Sequence, residues 1–182
     1  MNRLLLSVAT ACVSVSAIAG PVQKGLYEVQ AGVNWDVAYD GNDKYVPVSA
    51  GLGYYVTDQI QVGALLSFTK KDEDSFWGVS DVWGLGAFCE YNFSGSDSIL
   101  PYVGAAAHAY DGGGDVVWVG EAFGGMKYFF MPTVAVFGQI NLSAASDEIY
   151  DFQRDWLVAD KIDGKGENIG LGVSAGLRIV LW

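Results

Sequence analysis

Residues with reactive side chains are few and widely spaced in this sequence. There is one histidine, His108, and there are two cysteines, Cys12 and Cys89. A metal centre built on imidazole and thiolate needs its ligands clustered, and no ligand-spaced cluster is present. Nucleophilic catalysis needs a nucleophile, a base and a partner that orients the base. His108 is followed by Ala109 and Tyr110, and nothing nearby completes such a set. The acidic stretch Asp160 to Glu167 lacks EF-hand spacing. What remains is a set of ions scattered among neutral residues: Glu28, Asp36, Glu90, Glu121, Lys127 and Arg178. If buried, such charges must neutralise one another. Lining a pathway, they would carry protons or ions. The expectation is therefore no enzyme, no cofactor and no metal.

The elements that position these residues follow from composition and periodicity. The 182 residues are 51% hydrophobic, 14% aromatic and only 17% charged, with 24 glycines and a net charge of −11. A soluble domain carries about 25% charged residues. The aromatic and apolar content excludes disorder. A nucleic-acid partner is not expected, because phosphate neutralisation needs clustered Lys and Arg. No apolar run of about 20 residues follows residue 20, so membrane helices are excluded too.

Residues 1–19 read as a secretory signal. Arg3 supplies the basic start, Leu4 to Ala17 the apolar stretch, and Ala17-Ile18-Ala19 the cleavage site. Residues 20–182 form the single domain that remains. Cleavage at that site would remove Cys12, so no intramolecular disulfide is expected.

Period two dominates the rest. From Tyr27 to Tyr39 every odd position is apolar, and Glu28, Gln30 and Asp36 fall on the other face. Seven further alternating segments are expected: Val46 to Val56, Ile60 to Thr69, Trp83 to Phe93, Ile99 to Tyr110, Val116 to Phe130, Val134 to Leu142 and Asn168 to Leu181. The connections after the second, fourth and sixth are short. Those after the first, third, fifth and seventh are more acidic and often longer. The last, 143–167, is acidic and has room for a short helix near Asp147 to Leu157.

Alternation alone leaves open which face points inward. Two features favour an apolar face turned outward to lipid. The apolar faces carry no charge, and the opposite face is built of Gly, Ser, Asn and Gln with a few ions, unlike the Lys- and Glu-rich surface that water demands. Tyr27, Tyr54, Tyr91, Phe93, Tyr128 and Phe130 gather at one end of the apolar faces, while Tyr39, Phe68, Trp83 and Trp118 gather toward the other. Two aromatic girdles around an apolar band suit a membrane barrel. The reading is an all-β, eight-stranded antiparallel up-and-down transmembrane barrel, which satisfies its backbone hydrogen bonds without water. Glu28, Glu90, Lys127 and Arg178 then form an ion cluster at one end of the lumen, with Glu28 facing Arg178 across the closing seam. Asp36, His108 and Glu121 lie in the upper lumen, where His108 is placed to pair with Glu121. The cluster reads as an ion-pair plug or, alternatively, a gated ion path.

The end of the chain resembles a known class. Ser174-x-Gly176-x-x-Ile179-x-Leu181 followed by Trp182 is similar to the C-terminal signal of bacterial outer-membrane barrels of the small OmpA/OmpX-like, porin-family class. Gly125-Met126-Lys127-Tyr128-Phe129 and Pro101-Tyr102-Val103-Gly104 resemble strand segments of that class. The resemblance spans residues 20–182. It implies an outer-membrane location, contact with lipid and lipopolysaccharide, and assembly by the barrel machinery, with Ser174, Gly176, Ile179, Leu181 and Trp182 as the assembly signal. It implies a structural, envelope-integrity or surface-interaction role as a monomer, with loop 143–167 available for a surface ligand. A narrow channel for small hydrophobic or ionic solutes is the alternative. Lipid A deacylases of similar size carry a His-x-Ser element that His108-Ala109-Tyr110 does not reproduce.

Overall fold

The computed structural model describes residues 22–36, 48–69, 82–96, 98–111, 116–145 and 169–182. Eight strands follow in order: β1 (Tyr27–Asp36), β2 (Val48–Tyr55), β3 (Ile60–Thr69), β4 (Val82–Asn92), β5 (Ile99–Asp111), β6 (Val117–Met131), β7 (Val134–Ala145) and β8 (Ile169–Leu181). Each pairs antiparallel with its neighbours, and β1 pairs with β8 to close a barrel. Closure leaves no edge strand and hence no row of unpaired backbone groups.

The barrel has two different ends. At the turn end β2, β4 and β6 pass to the next strand through short connections. Thr57 Oγ1 accepts hydrogen bonds from the amides of Gln59 (3.2 Å) and Ile60 (2.8 Å), and Ser96 Oγ accepts one from Ile99 (3.1 Å). Pro132 and Thr133 make the third turn, preceded by a register shift between Phe129 and Met131. The strands leave the opposite, loop end toward segments 37–47, 70–81, 112–115 and 146–168, which lie outside the described residues.

The period-two pattern settles the faces. Leu85, Trp118 and Ile140 are 60% or more exposed, pointing out, while Tyr55, Tyr102 and Phe88 are buried in the lumen. Outward Tyr27 and Tyr54 pack at 5.1 Å near the turn end, and Phe68 and Trp83 at 4.5 Å nearer the loop end. A barrel with most of its leucines outside and its ions inside is the inverse of a water-soluble one. The fold is a transmembrane-type barrel, and an inward-apolar, lipocalin-like arrangement is excluded.

Three differences from the sequence reading stand out. Ser143 and Ala144, read as the start of a loop, continue β7: Ser143 pairs with Glu121 and Gly170, so the ladder runs on along both sides. The lumen is not only small and polar, because Leu65, Phe88, Phe123 and Phe137 also point into it. Its glycines accommodate them. A Cβ on Gly63 would strike Phe88, one on Gly104 would strike Phe123, and one on Gly32 would strike Phe137. Finally, residues 22–26 close the turn end. The Gly25 amide, at φ 93°, donates to the Tyr55 carbonyl at 2.9 Å, and the Tyr55 amide donates to the Leu26 carbonyl at 3.0 Å. The signal at 1–19, most of the acidic loop 143–167 and its possible helix lie outside the described residues.

Candidate functional site

The lumen is organised in layers along its axis. The lowest, at the turn end, is apolar. Val22, Leu26, Tyr55, Leu100, Phe129, Ala135 and Val180 form one buried cluster across the barrel floor. Val22 and Leu26 come from the segment before β1, which the alternating pattern does not include.

Directly above sit Glu28, Glu90, Lys127 and Arg178, each 0 to 2% exposed. They come from β1, β4, β6 and β8, so opposite walls meet at the axis. Arg178 Nη1 donates to Glu28 Oε1 and Glu90 Oε2, both at 2.8 Å. Lys127 Nζ lies 2.6 Å from Glu90 Oε1 and 3.1 Å from Glu28 Oε2. Tyr55 hydroxyl donates to Glu28 Oε2 at 2.8 Å and accepts from Lys127 Nζ at 2.9 Å. The cations also rest on aromatic faces: the Arg178 guanidinium is 4.6 Å from the Tyr102 ring and 4.7 Å from Phe137. Two acids and two bases cancel, as charges removed from water require. Arg178 joins both carboxylates through the one nitrogen Nη1, while its Nε has no hydrogen-bond partner among the described residues.

The seam geometry is more oblique than adjacency suggests. Arg178 lies directly opposite Gln30 on β1, and Glu28 lies opposite Val180. The two side chains meet by leaning along the strands. Gln61 is also buried at this level, and both of its amide atoms are without a hydrogen-bond partner among the described residues.

A hydrogen-bonded chain of neutral groups lies above. Tyr102 hydroxyl donates to Gln139 Oε1 (2.8 Å), Gln139 Nε2 to Asn141 Oδ1 (2.8 Å), Asn141 Nδ2 to Ser174 Oγ (2.5 Å), and Ser174 Oγ to Asn34 Oδ1 (3.0 Å). Next to it is a cavity of about 70 Å³ that reaches toward the loop end and is lined by His108, Tyr110 and Glu121 among others. That volume holds roughly five waters. Below it, the ion cluster and the apolar floor fill the axis.

The residues singled out from sequence fall as follows. Glu28, Glu90, Lys127 and Arg178 are brought together. His108 Nε2 and Glu121 Oε2 approach to 3.9 Å, beyond a hydrogen bond. Asp36 ends β1 opposite Gly172, and its side chain lies outside the described residues. Ser174 and Gly176 belong to the lumen, Ile179 and Leu181 to the outer face, and Trp182 is 88% exposed at the turn end. The sequence reading missed Tyr55 and Tyr102 as partners of the ion cluster. Their signal was the register itself: Tyr54 faces out, so its neighbour Tyr55 must face in.

No protein-family model matches this chain, and no curated protein matches it. Solved structures match in fold. A de novo designed transmembrane β-barrel aligns over 87% of this chain and 98% of its own, at 14% identity and a TM-score of 0.58. The N-terminal β-barrel domain of OprF from Pseudomonas aeruginosa aligns over 87% and 98%, at 15% identity and 0.52. Neisserial surface protein A aligns over 85% and 95%, at 17% identity and 0.51. At these identities the shared property is the eight-stranded transmembrane barrel fold.

Proposed function

We propose that this chain is a non-enzymatic integral protein of the bacterial outer membrane, with a structural, envelope-integrity or surface-interaction role and a lumen closed to solutes. The single observation that carries the reading is the floor of the barrel. A neutral, fully buried four-ion cluster stands over a buried, mainly apolar cluster at the turn end, with Gln61 and Asn92 as the buried polar residues on the β3 and β4 side. An eight-stranded interior is just wide enough for side chains to fill. In this reading the turn end faces the periplasm, the acidic connecting segments face outward, and residues 1–19 direct export and are removed. Lipid and lipopolysaccharide surround the apolar outer face, the barrel machinery inserts the monomer, and segment 143–167 offers the surface contact.

The narrow-channel reading rests on the loop-end cavity, which brings polar groups part of the way down the axis. Planar-bilayer recording separates the two. Purified protein is expected to show no discrete openings, and reproducible unitary conductance would overturn the closed lumen. Fractionation with the outer membrane and faster gel migration before heating than after are expected, and recovery in the soluble periplasm would overturn the location.

A further inference from the structure

The closed lumen leaves His108 and Glu121 without a task. His108 is 4% exposed, and neither ring nitrogen has a hydrogen-bond partner among the described residues. Its orientation is nevertheless held from two sides. The ring stacks on Tyr110, 5.6 Å away at 24°, and its Nδ1 edge lies over Gly86, where a Cβ would collide with it. Nε2 is thereby left facing Glu121 Oε2 at 3.9 Å.

An unpartnered buried imidazole is costly, and the partly buried Glu121 carboxylate, 17% exposed, has no counter-charge beside it among the described residues. The ions below cancel among themselves, so Glu121 is the uncompensated charge of the lumen among the described residues. Both groups line the same cavity. A dication bound by nitrogen and oxygen at about 2.0 to 2.2 Å in tetrahedral geometry sets those atoms roughly 3.4 Å apart. The observed 3.9 Å is about half an ångström wider, within reach of a small turn of the Glu121 side chain. The cavity has room for waters to complete the coordination. The segments outside the described residues that join the strands at this end carry fourteen acids against six bases by sequence. Such a field concentrates cations at the mouth.

We propose that His108 and Glu121 form a two-ligand site for a first-row transition-metal dication at the loop end of the lumen. An imidazole ligand selects zinc, copper or nickel over magnesium and calcium. The proposal does not depend on the channel question, because the site lies above the ion cluster.

His108 is the only histidine, which makes the test direct. Untagged protein in detergent micelles is loaded with one equivalent of Cu²⁺ and examined by pulsed electron paramagnetic resonance. The remote nitrogen of one imidazole is expected in the spectrum, and it can come only from His108. Zn²⁺ is expected to displace the signal, and Mg²⁺ in excess is not. Calorimetry with Zn²⁺ should give one site, lost in His108→Ala and at least tenfold weaker in Glu121→Gln. An absent imidazole signal overturns the proposal. So does Zn²⁺ binding that is unchanged in both variants, which would place the metal on the acidic segments. If His108→Ala fails to fold, the spectrum of the unaltered chain and its competition by Zn²⁺ decide alone.

Discussion

Removing a matched pair from the buried ion cluster should cost well under the sum of the two single removals. Arg178 makes two contacts of 2.8 Å, one to Glu28 and one to Glu90. At an effective dielectric constant near 20, each is worth about 6 kcal/mol in gross attraction. Desolvation of the ions cancels much of this, at several kcal/mol per ion. The net cost of Arg178→Met is then set by what is left behind: two buried carboxylates sharing Lys127. Breaking a buried pair in this way costs about 3–5 kcal/mol. Glu28→Gln leaves two cations for Glu90 and should cost a similar amount. The double variant is different, because Glu90 and Lys127 remain as a matched pair at 2.6 Å. It should cost well under the sum of the singles, with a coupling of about 1–3 kcal/mol. The assay is equilibrium urea unfolding in lipid or detergent, followed by tryptophan fluorescence and by the folded fraction on unheated gels. Conductance should stay absent in the double variant, since the apolar floor is intact. Additive singles, or singles costing under about 1 kcal/mol, would refute the reasoning that these charges compensate one another. Openings in the double variant would show that the ions, not the floor, close the axis.

Other outcomes test the faces and the packing. Gly84→Ala puts a Cβ into the Tyr110 ring and should destabilise the barrel by about 1–3 kcal/mol; in a Tyr110→Ala background the same substitution should cost far less in urea unfolding, and an undiminished cost would count against the interlock. Leu52, 52% exposed on the outer face, sits in mid-strand opposite Val29 and Ala64. Leu52→Arg should cost about 2–4 kcal/mol in a bilayer, as expected for a charge facing lipid at depth, and a negligible cost would contradict the outward apolar face. Deleting Trp182 should lower the yield of heat-modifiable barrel in cells, and normal insertion without it would remove the C-terminal residue from the assembly signal.

Much of this architecture was legible because a strand alternates its faces. Glu28, Glu90, Lys127 and Arg178 each fall on the polar positions of their strands, and antiparallel order places all four near the same end. The uncharged apolar faces told which side meets lipid. Less legible were the lumen aromatics. Phe88, Phe123 and Phe137 occupy polar-face positions, and their apolar character disguises their direction in a sequence already rich in outward phenylalanine. Their partners gave a weak signal, since glycines at Gly63, Gly104 and Gly32 leave room without saying for whom. The limit of β7 was misread because Ser143 and Ala144 resemble loop residues, yet pairing on both sides holds them in the ladder.

The strand count, the inside and the outside, and the set of ions that must share the lumen all follow from the linear order of residues. These are one-dimensional consequences of period two and of the cost of charge in an apolar medium. Which side chains touch is set by closure of the barrel. Arg178 reaches Glu90 because closure brings β4 and β8 within reach of their two facing side chains, although three strands lie between them either way around the wall. It reaches Glu28 despite standing opposite Gln30, because side chains lean along the strands toward an axis that exists only in the closed barrel. The floor beneath them, with Val22 and Leu26 tucked in from outside any strand, is likewise set by the shape of the opening they fill.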